Sequence, residues 1–225
     1  MEGSKLKTQL STSEFEAEAT SLQIEAKTRM FYIVDNSRIS LAALSIALSI
    51  ATMGLSAHAL SVYERTHVAA NFHLPLWPEK FDVQPTVALV ACSTIIMAFA
   101  SVSILASRVV SLRHLPLINV AANITAPVAS FISALVAMSF FYAVNSNDSI
   151  DTLQSWACRW QDVAMLQQPH FGTLCKQSEA GVAMTILLVP LELVILGLTM
   201  YLLLLRKQIN NESGIISKGS IPTLY

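Results

Sequence analysis

The sequence predicts an all-α integral membrane protein: a four-helix transmembrane bundle with an N-terminal cytosolic amphipathic helix and a disulfide-tied outer loop. Hydrophobic residues make up 53% of the 225 residues and charged residues only 13%, about half the charged share of a soluble domain. Four apolar runs are each long enough to cross a bilayer, which takes about 20 residues. None of them alternates, which excludes a membrane β-barrel. The composition also excludes a soluble enzyme, a disordered chain and a nucleic-acid binder.

The predicted transmembrane domain covers residues 39–205 and is followed by a cytosolic tail, residues 206–225. Lipid offers no hydrogen-bond partners, so a spanning backbone must satisfy its own polar groups and forms helices. The four predicted spans are residues 39–62, 86–106, 117–144 and 181–205.

Residues 1–38 form a polar arm before the first span. Over about residues 14–34, apolar side chains recur at helical spacing, with acids first and cations later, which suits the helix dipole. We therefore expect an amphipathic helix there that lies on the inner leaflet or on the bundle. Its apolar stripe consists of Phe15, Ala19, Leu22, Ala26, Met30 and Ile33.

The distribution of cations predicts the orientation. Of the 14 Lys and Arg residues, five lie in residues 1–38, two in 107–116 and three in 206–225, against two in each of the loops 63–85 and 145–180. The positive-inside rule therefore places both termini in the cytosol. We expect a multi-pass protein of the secretory pathway or plasma membrane. Its expected partners are the lipid bilayer and either further copies of the chain or other membrane proteins, and no nucleic acid.

Two of the three cysteines, Cys158 and Cys175, lie in the second outer loop, on the oxidising side of a secretory membrane. A bridge between them would stabilise this loop by roughly 3 kcal/mol. We predict this disulfide; two free thiols or a metal pair are the alternatives, and His170 alone offers no zinc-like spacing. Cys92 lies in a span and is predicted to be a packing residue. We expect no metal site and no cofactor.

The same outer loop shows helical periodicity, with Trp156 and Trp160 four residues apart and Phe171 after a turn. We predict a short amphipathic helix on the outer membrane surface and all three aromatic side chains at the surface of the loop. The tryptophans either cap the bundle and rest at the lipid interface, or bind a partner. We favour the first interpretation, because Trp commonly lies at membrane interfaces.

Glu192 is the one acidic or basic residue within the four spans. An acid at this depth costs about 3 kcal/mol or more unless it is protonated or paired, so it is a functional candidate. It is either a proton or cation site, or a neutral group hydrogen-bonded to serines of neighbouring helices, and we favour the second. Further polar candidates within the spans are His58, Asn119 and Asn123.

Small residues recur every four positions on two of the spans. Such seams let helix backbones approach closely in lipid, where packing drives association. We expect them to lie between helices. They are Ala43, Ala47 and Ala51 on the first span, and Ala122, Ala126, Ser130 and Ala134 on the third.

This layout resembles the small tetraspan proteins of the MARVEL type, with four spans, a short basic inner loop and a cysteine-bearing second outer loop. Residues 155–160 and 171–175 are similar to those of uncharacterised four-span proteins of filamentous fungi. The resemblance implies a role in membrane apposition, vesicle traffic or the organisation of membrane domains. We therefore expect a non-enzymatic membrane organiser without catalytic residues. The alternative is a small transport or enzyme-accessory subunit in small-molecule metabolism or export that uses Glu192.

Overall fold

The structure is a computed structural model. It describes residues 2–67, 77–78, 81–108, 116–146, 150–163 and 169–219, with side chains for residues 22–67, 77–78, 81–108, 124–146, 150–163 and 169–211. The described part contains five helices and one two-stranded sheet. In chain order these are α1 (Glu2–Thr66), β1 (Phe81–Asp82), α2 (Gln84–Arg108), α3 (Pro116–Asn145), β2 (Asp151–Thr152), α4 (Leu153–Arg159) and α5 (Phe171–Gly219).

Four of these helices, α1, α2, α3 and α5, are long and apolar enough to cross a membrane. Each predicted span lies within one of them, so the prediction of four apolar helices is confirmed. Helices α3 and α5 continue through Pro127 and Pro190, respectively.

Helix α1 is longer than the sequence suggested, because the predicted arm helix and the first span form one helix. The sequence contains no glycine or proline between Gly3 and Gly54, so no helix breaker separates the two segments. The polar residues around position 36 are accommodated within the helix, where the Ser37 hydroxyl donates to the carbonyl oxygen of Ile33 at 3.0 Å.

The chain divides into two compact units, residues 40–196 and residues 1–39 with 197–225. In the first unit the four long helices share one core. One cluster joins Leu48 of α1, Ile96 of α2, Ala134 of α3 and Leu188 of α5.

From Ala42 to Ala59 on α1 and from Gly181 to Ile195 on α5, the buried residues are separated alternately by three and four positions. This is the 3.5-residue period of helices that supercoil with a left-handed twist. We call these two rows of residues the inner seams. That of α1 is Ala42, Ser45, Ser49, Thr52, Ser56 and Ala59; that of α5 is Gly181, Thr185, Leu188, Glu192 and Ile195.

The inner seams of α1 and α5 run antiparallel. At one end, a Cβ placed on Gly181 would lie 3.7 Å from the hydroxyl oxygen of Ser56. Eleven residues further along each helix, in opposite chain directions, the hydroxyl of Ser45 donates to Glu192. The mostly small residues on the α1 side explain this close approach, which favours dispersion packing.

Inside the bundle, the predicted seam of α1 is wrong, and the three described residues of the predicted seam of α3 are confirmed. Ala43 and Ala47 are exposed and Ala51 is half-buried, so α1 is rotated by about one position from the expected phase. Small residues occupy both the predicted side of α1 and the side that is buried, so their spacing alone did not show which side faces the other helices. On α3, Ala126, Ser130 and Ala134 are buried as predicted, whereas the side chain of Ala122 lies outside the described residues.

In the second unit, α1 and α5 are joined by a contact between the Tyr201 hydroxyl and the Met30 sulfur, 3.6 Å apart. Arg38 is buried and forms an ion pair with Asp35 at 3.1 Å. Of the predicted apolar stripe, Leu22, Ala26, Met30 and Ile33 are exposed, and the side chains of Phe15 and Ala19 lie outside the described residues. Contact of this stripe with the inner leaflet stays a prediction.

The fully buried Ala134 provides a test of the helix packing. We expect Ala134→Leu to destabilise the protein by about 1–3 kcal/mol, because a larger side chain forces the close-packed helices apart. The matched control is Ala143→Leu, at an exposed position of the same helix. Unfolding in mixed detergent and sodium dodecyl sulfate, followed by circular dichroism, measures both. Equal midpoints for the two variants would contradict the packing of α3.

Candidate functional site

A folded structure, here called the cap, covers one end of the four-helix unit. It comprises the described parts of the two predicted outer loops, residues 77–78, 81–82 and 150–163, together with the first turns of α5. Strands β1 and β2 join the two loops as a short parallel pair, with Phe81 opposite Asp151 and Asp82 opposite Thr152.

Helix α4 begins at a capping box. The Thr152 hydroxyl accepts from the backbone N–H of Ser155 at 3.2 Å, and the Ser155 hydroxyl accepts from the N–H of Thr152 at 2.8 Å. Such reciprocal bonds satisfy donors that a helix start leaves free. An ion pair of 2.9 Å between Arg159 and Asp151 ties the end of the helix to the strand before it.

The inner side of α4 packs on the ends of α1 and α5. Leu153 and Ala157 are almost fully buried in a cluster with Ala59, Val62 and Leu174. The predicted disulfide is confirmed: it joins Cys158 of α4 to Cys175 of α5, with the two Cα atoms 4.7 Å apart. Helix α4 is therefore fixed to the bundle by apolar packing and by a covalent bond.

A group of aromatic rings holds the first outer loop against the same core. The Trp77 ring contacts those of Tyr63, Phe81 and Phe171, with centroids 5.0, 5.1 and 5.6 Å away. The Trp77 indole N–H donates to the hydroxyl of Thr66 at 3.1 Å. Trp77 was not among the residues predicted to form the outer structure. Its only signal in the sequence was a large aromatic side chain within a loop.

Phe171, predicted at the surface of the outer loop, is instead 5% exposed. It is the first residue of α5 and packs with Trp77, so its ring lies in the cap core. The physical reason is that the fourth long helix begins ten residues before the predicted span, and this brings its first turns under the cap.

The two tryptophans of α4 and its end have different environments. Trp156 is half-buried and packs against the cap core, and its indole N–H has no hydrogen-bond partner among the described residues. Trp160 is 42% exposed, and Val163, three residues later in the turn that follows α4, is 48% exposed. We call Trp160 and Val163 the cap surface. Trp156 therefore caps the bundle. The Trp160 ring packs against that of Trp156, with centroids 5.7 Å apart, and leaves its other side exposed.

The metal alternative for the cysteines can be compared with the positions of their sulfur atoms. A Glu179 carboxylate oxygen and the sulfur atoms of Cys158 and Cys175 lie within 4.8 Å of one another. Both sulfurs are joined in the disulfide, and a metal ligand must be a thiolate. In the oxidised protein this group is therefore a disulfide beside an acid.

Glu192 lies in the interior of the four-helix unit and is only 2% exposed. The hydroxyl of Ser45 donates to its Oε1. One helical turn away, Ser49 is fully buried, and its hydroxyl has no hydrogen-bond partner among the described residues. Glu192 thus lies on a contact between α1 and α5 that also carries buried hydroxyl groups, those of Ser45 and Ser49 being the ones within one helical turn of it on the α1 seam.

Among the other predicted intramembrane candidates, His58 does not join this group. His58 lies near the cap, with Nδ1 3.0 Å from Oε1 of Gln177 on α5, and is exposed. The side chains of Asn119 and Asn123 lie outside the described residues. Cys92, predicted to be a packing residue, is buried in a cluster with Leu89 and Phe141.

No family model, no curated protein and no solved structure matches this chain. Its function is therefore inferred from two features of the molecule, the cap and the buried Glu192.

The disulfide provides a test of the cap. We expect replacement of both Cys158 and Cys175 by Ser to loosen it by roughly 3 kcal/mol, so that proteases cut the second outer loop on the order of a hundredfold faster. The four helices should stay inserted in the membrane, because insertion depends on the hydrophobicity of the spans.

Cys92→Ser is the control for this experiment, since Cys92 is not part of the cap. Limited proteolysis of the protein in membranes measures the cleavage rate, and carbonate extraction measures insertion. An unchanged cleavage rate, or labelling of both cap cysteines by a thiol reagent without reductant, would show that the bridge does not fix the cap.

Proposed function

We propose that this chain is a non-enzymatic multi-pass membrane protein that organises membrane domains or protein assemblies, with both termini in the cytosol and the cap on the opposite side. The observation that carries the proposal is the cap surface, where Trp160 and Val163 are exposed on a segment adjoining a disulfide-bonded helix. The excess of cations in the termini and in the short inner loop supports the orientation.

A large aromatic side chain on a rigid support is well suited to protein association. Trp is enriched among the residues that dominate binding energy at interfaces. Because α4 is fixed by its core packing and by the Cys158–Cys175 bond, little conformational freedom remains to be lost when a partner binds. The partner would be another protein domain at the same membrane surface, as the layout shared with MARVEL-type tetraspans suggests.

The outward side of α1 supports lateral assembly as well. Ala43, Ala47 and Gly54 are exposed there, and a Cβ built on Gly54 would have no neighbour within 4 Å. Small residues facing lipid allow the backbone of a second helix to approach closely. These positions are unused inside the bundle, so they are available to another copy or to a different membrane protein.

The cap surface can be tested in the full-length protein in its membrane. We expect Trp160→Ala combined with Val163→Ala to weaken association by at least about tenfold, because truncating an interface Trp commonly costs about 2 kcal/mol or more. Association is measured as the fraction cross-linked to neighbours and as the mobile fraction in fluorescence recovery.

The control for the cap-surface variant is Leu187→Ala, which removes an exposed apolar side chain from the spanning part of α5. Disulfide formation on a non-reducing gel checks that each variant is folded. If the cap-surface variant cross-links and diffuses as the wild type does, Trp160 does not serve association and the organiser proposal loses its main support.

The buried carboxyl supports a second candidate function, a small transport or enzyme-accessory subunit. Glu192 and Ser45 are hydrogen-bonded, and the hydroxyl of Ser49 lies nearby without a partner in the described structure. An acid among hydroxyls within a membrane can exchange a proton or bind a cation. It can equally serve as a neutral hydrogen-bonding group that packs two helices together.

Glu192→Gln separates these roles, since Gln keeps the volume and can accept the hydrogen bond from Ser45 but cannot exchange a proton. For the organiser, we expect stability within about 1 kcal/mol of the wild type and unchanged assembly, whereas Glu192→Ala should cost about 2–4 kcal/mol through the cavity it leaves.

The discriminating measurement is proton flux into proteoliposomes that contain a pH-sensitive dye. Flux in the wild type that disappears in a stably folded Glu192→Gln protein would establish the second candidate. Equal dye signals from wild type, Glu192→Gln and empty liposomes would exclude proton transport through this group.

A further inference from the structure

A cavity of about 410 Å³ opens between α1, the turn after α4 and the first turns of α5. This is within the size of small-ligand sites, about 300–1,000 Å³. Its lining includes Leu55, Gln161, Asp162, Lys176, Gln177 and Ala180.

The wall between the cap and α5 depends on a glycine. A Cβ on Gly172 would lie 3.0 Å from the carbonyl oxygen of Gln161, so only glycine allows this backbone approach without a shift. On the opposite side, His58 contacts Gln177 and links α1 to α5. The cavity is thus bounded by elements that are themselves fixed to one another.

Opposite charges line this cavity. Asp162 and Lys176 are both exposed, and within the described ranges neither forms an ion pair, with the other or with any further side chain. Lys176 lies in the second turn of α5. The cavity therefore offers one site for a negative group and one for a positive group.

The level of the cavity matches the lipid headgroups. Ala180 directly precedes the apolar run that begins at Gly181, and Lys176 lies five residues before that run, or about 8 Å along a helix. The headgroup layer extends about 5–8 Å beyond the hydrocarbon core. Below the cavity, the same side of α5 continues through Ala183 and Leu187, both exposed, along which an acyl chain can lie.

From this arrangement we infer that the cavity binds the headgroup of a phosphatidylethanolamine molecule. Lys176 binds its phosphate, and Asp162, with the side-chain oxygen of Gln161, accepts hydrogen bonds from its primary ammonium group. Leu55 and Ala180 contact the start of its acyl chains. The lining of the cavity in the described structure has no aromatic ring, whereas quaternary ammonium groups are typically held in aromatic cages. The site is therefore selective for ethanolamine over choline.

The test uses full-length protein in nanodiscs with equal amounts of phosphatidylethanolamine and phosphatidylcholine that carry the same acyl chains. Native mass spectrometry after release measures which lipid is retained. We expect the wild type to retain phosphatidylethanolamine about threefold or more over phosphatidylcholine, a factor typical of a partly exposed charge pair. Retention of both lipids in equal amounts by the wild type would overturn the proposal.

Two variants assign the charges. Asp162→Asn should bring the ratio of the two lipids close to one, because only the ammonium group differs between them. Lys176→Ala should lower the retention of both lipids by about threefold, since both carry the phosphate. Glu179→Gln and Arg65→Ala, at exposed charged residues outside the cavity, should behave as the wild type. A preference that survives in Asp162→Asn, or unchanged retention of both lipids in Lys176→Ala, would place the lipid elsewhere.

A third arm distinguishes the lipid from a soluble source of the same headgroup. Glycerophosphoethanolamine, which lacks the acyl chains, is added at millimolar concentration to the nanodiscs. The lipid should stay bound, because the competitor has no acyl chains to contact Leu55 and Ala180. Displacement of the lipid by the millimolar competitor would reassign the cavity to a soluble phosphoethanolamine compound and overturn the lipid proposal.

Discussion

The close approach of helix backbones through small side chains is the constraint on which the rest of this structure depends. Between helices in lipid there is no hydrophobic driving force, because the surrounding tails are as apolar as the side chains. Association then relies on dispersion contacts, which are individually weak and need many atoms at short range. The inner seam of α1 is built of alanine, serine and threonine and repeats every 3.5 residues. It places the Gly181 backbone within reach of Ser56 and lets Ser45 bond to Glu192.

The cap is a consequence of that convergence. Because α1 and α5 meet at Ser56 and Gly181, the turns beyond them present one continuous apolar base, on which Leu153 and Ala157 pack. A single short helix would be marginal in water on its own. The capping box, the disulfide and this base fix α4 together, and Trp77 closes the side. Because Trp160 follows directly after this fixed helix, its orientation is already set in the unbound protein, whereas a tryptophan on a flexible loop would lose conformational freedom on binding.

The sequence predicted the features that depend on the polarity of whole segments, and it failed where the direction of a single side chain decides. The length of the apolar runs predicted the four long helices. The number of cysteines and their predicted place on the oxidising side of the membrane predicted the disulfide. Hydropathy could not tell which side of α1 faces its neighbours, because lipid and helix interior are both apolar and Ala43 differs little from Ala42. Phe171 was predicted at the surface because hydropathy alone set the start of the fourth span. The first turns of α5 contain polar residues, so hydropathy did not show that the helix begins at Phe171, under the cap. On α3 the residues one position before the seam, Thr125, Ala129 and Ser133, are small as well, so spacing alone does not decide which side of α3 faces its neighbours either.

The two inner seams also explain why an acid is tolerated at position 192. On α5 the larger inward residues are Leu188, Glu192 and Ile195. The α1 residues at their levels are Ser49, Ser45 and Ala42, so large side chains face small ones. The methylene groups of Glu192 fill the volume that a leucine would fill at the same point of the repeat. Packing therefore accounts for the length of this side chain, and Ser45 accounts for the satisfaction of one carboxyl oxygen. What packing does not require is the second oxygen, since a leucine at this point of the repeat would carry a methyl group there.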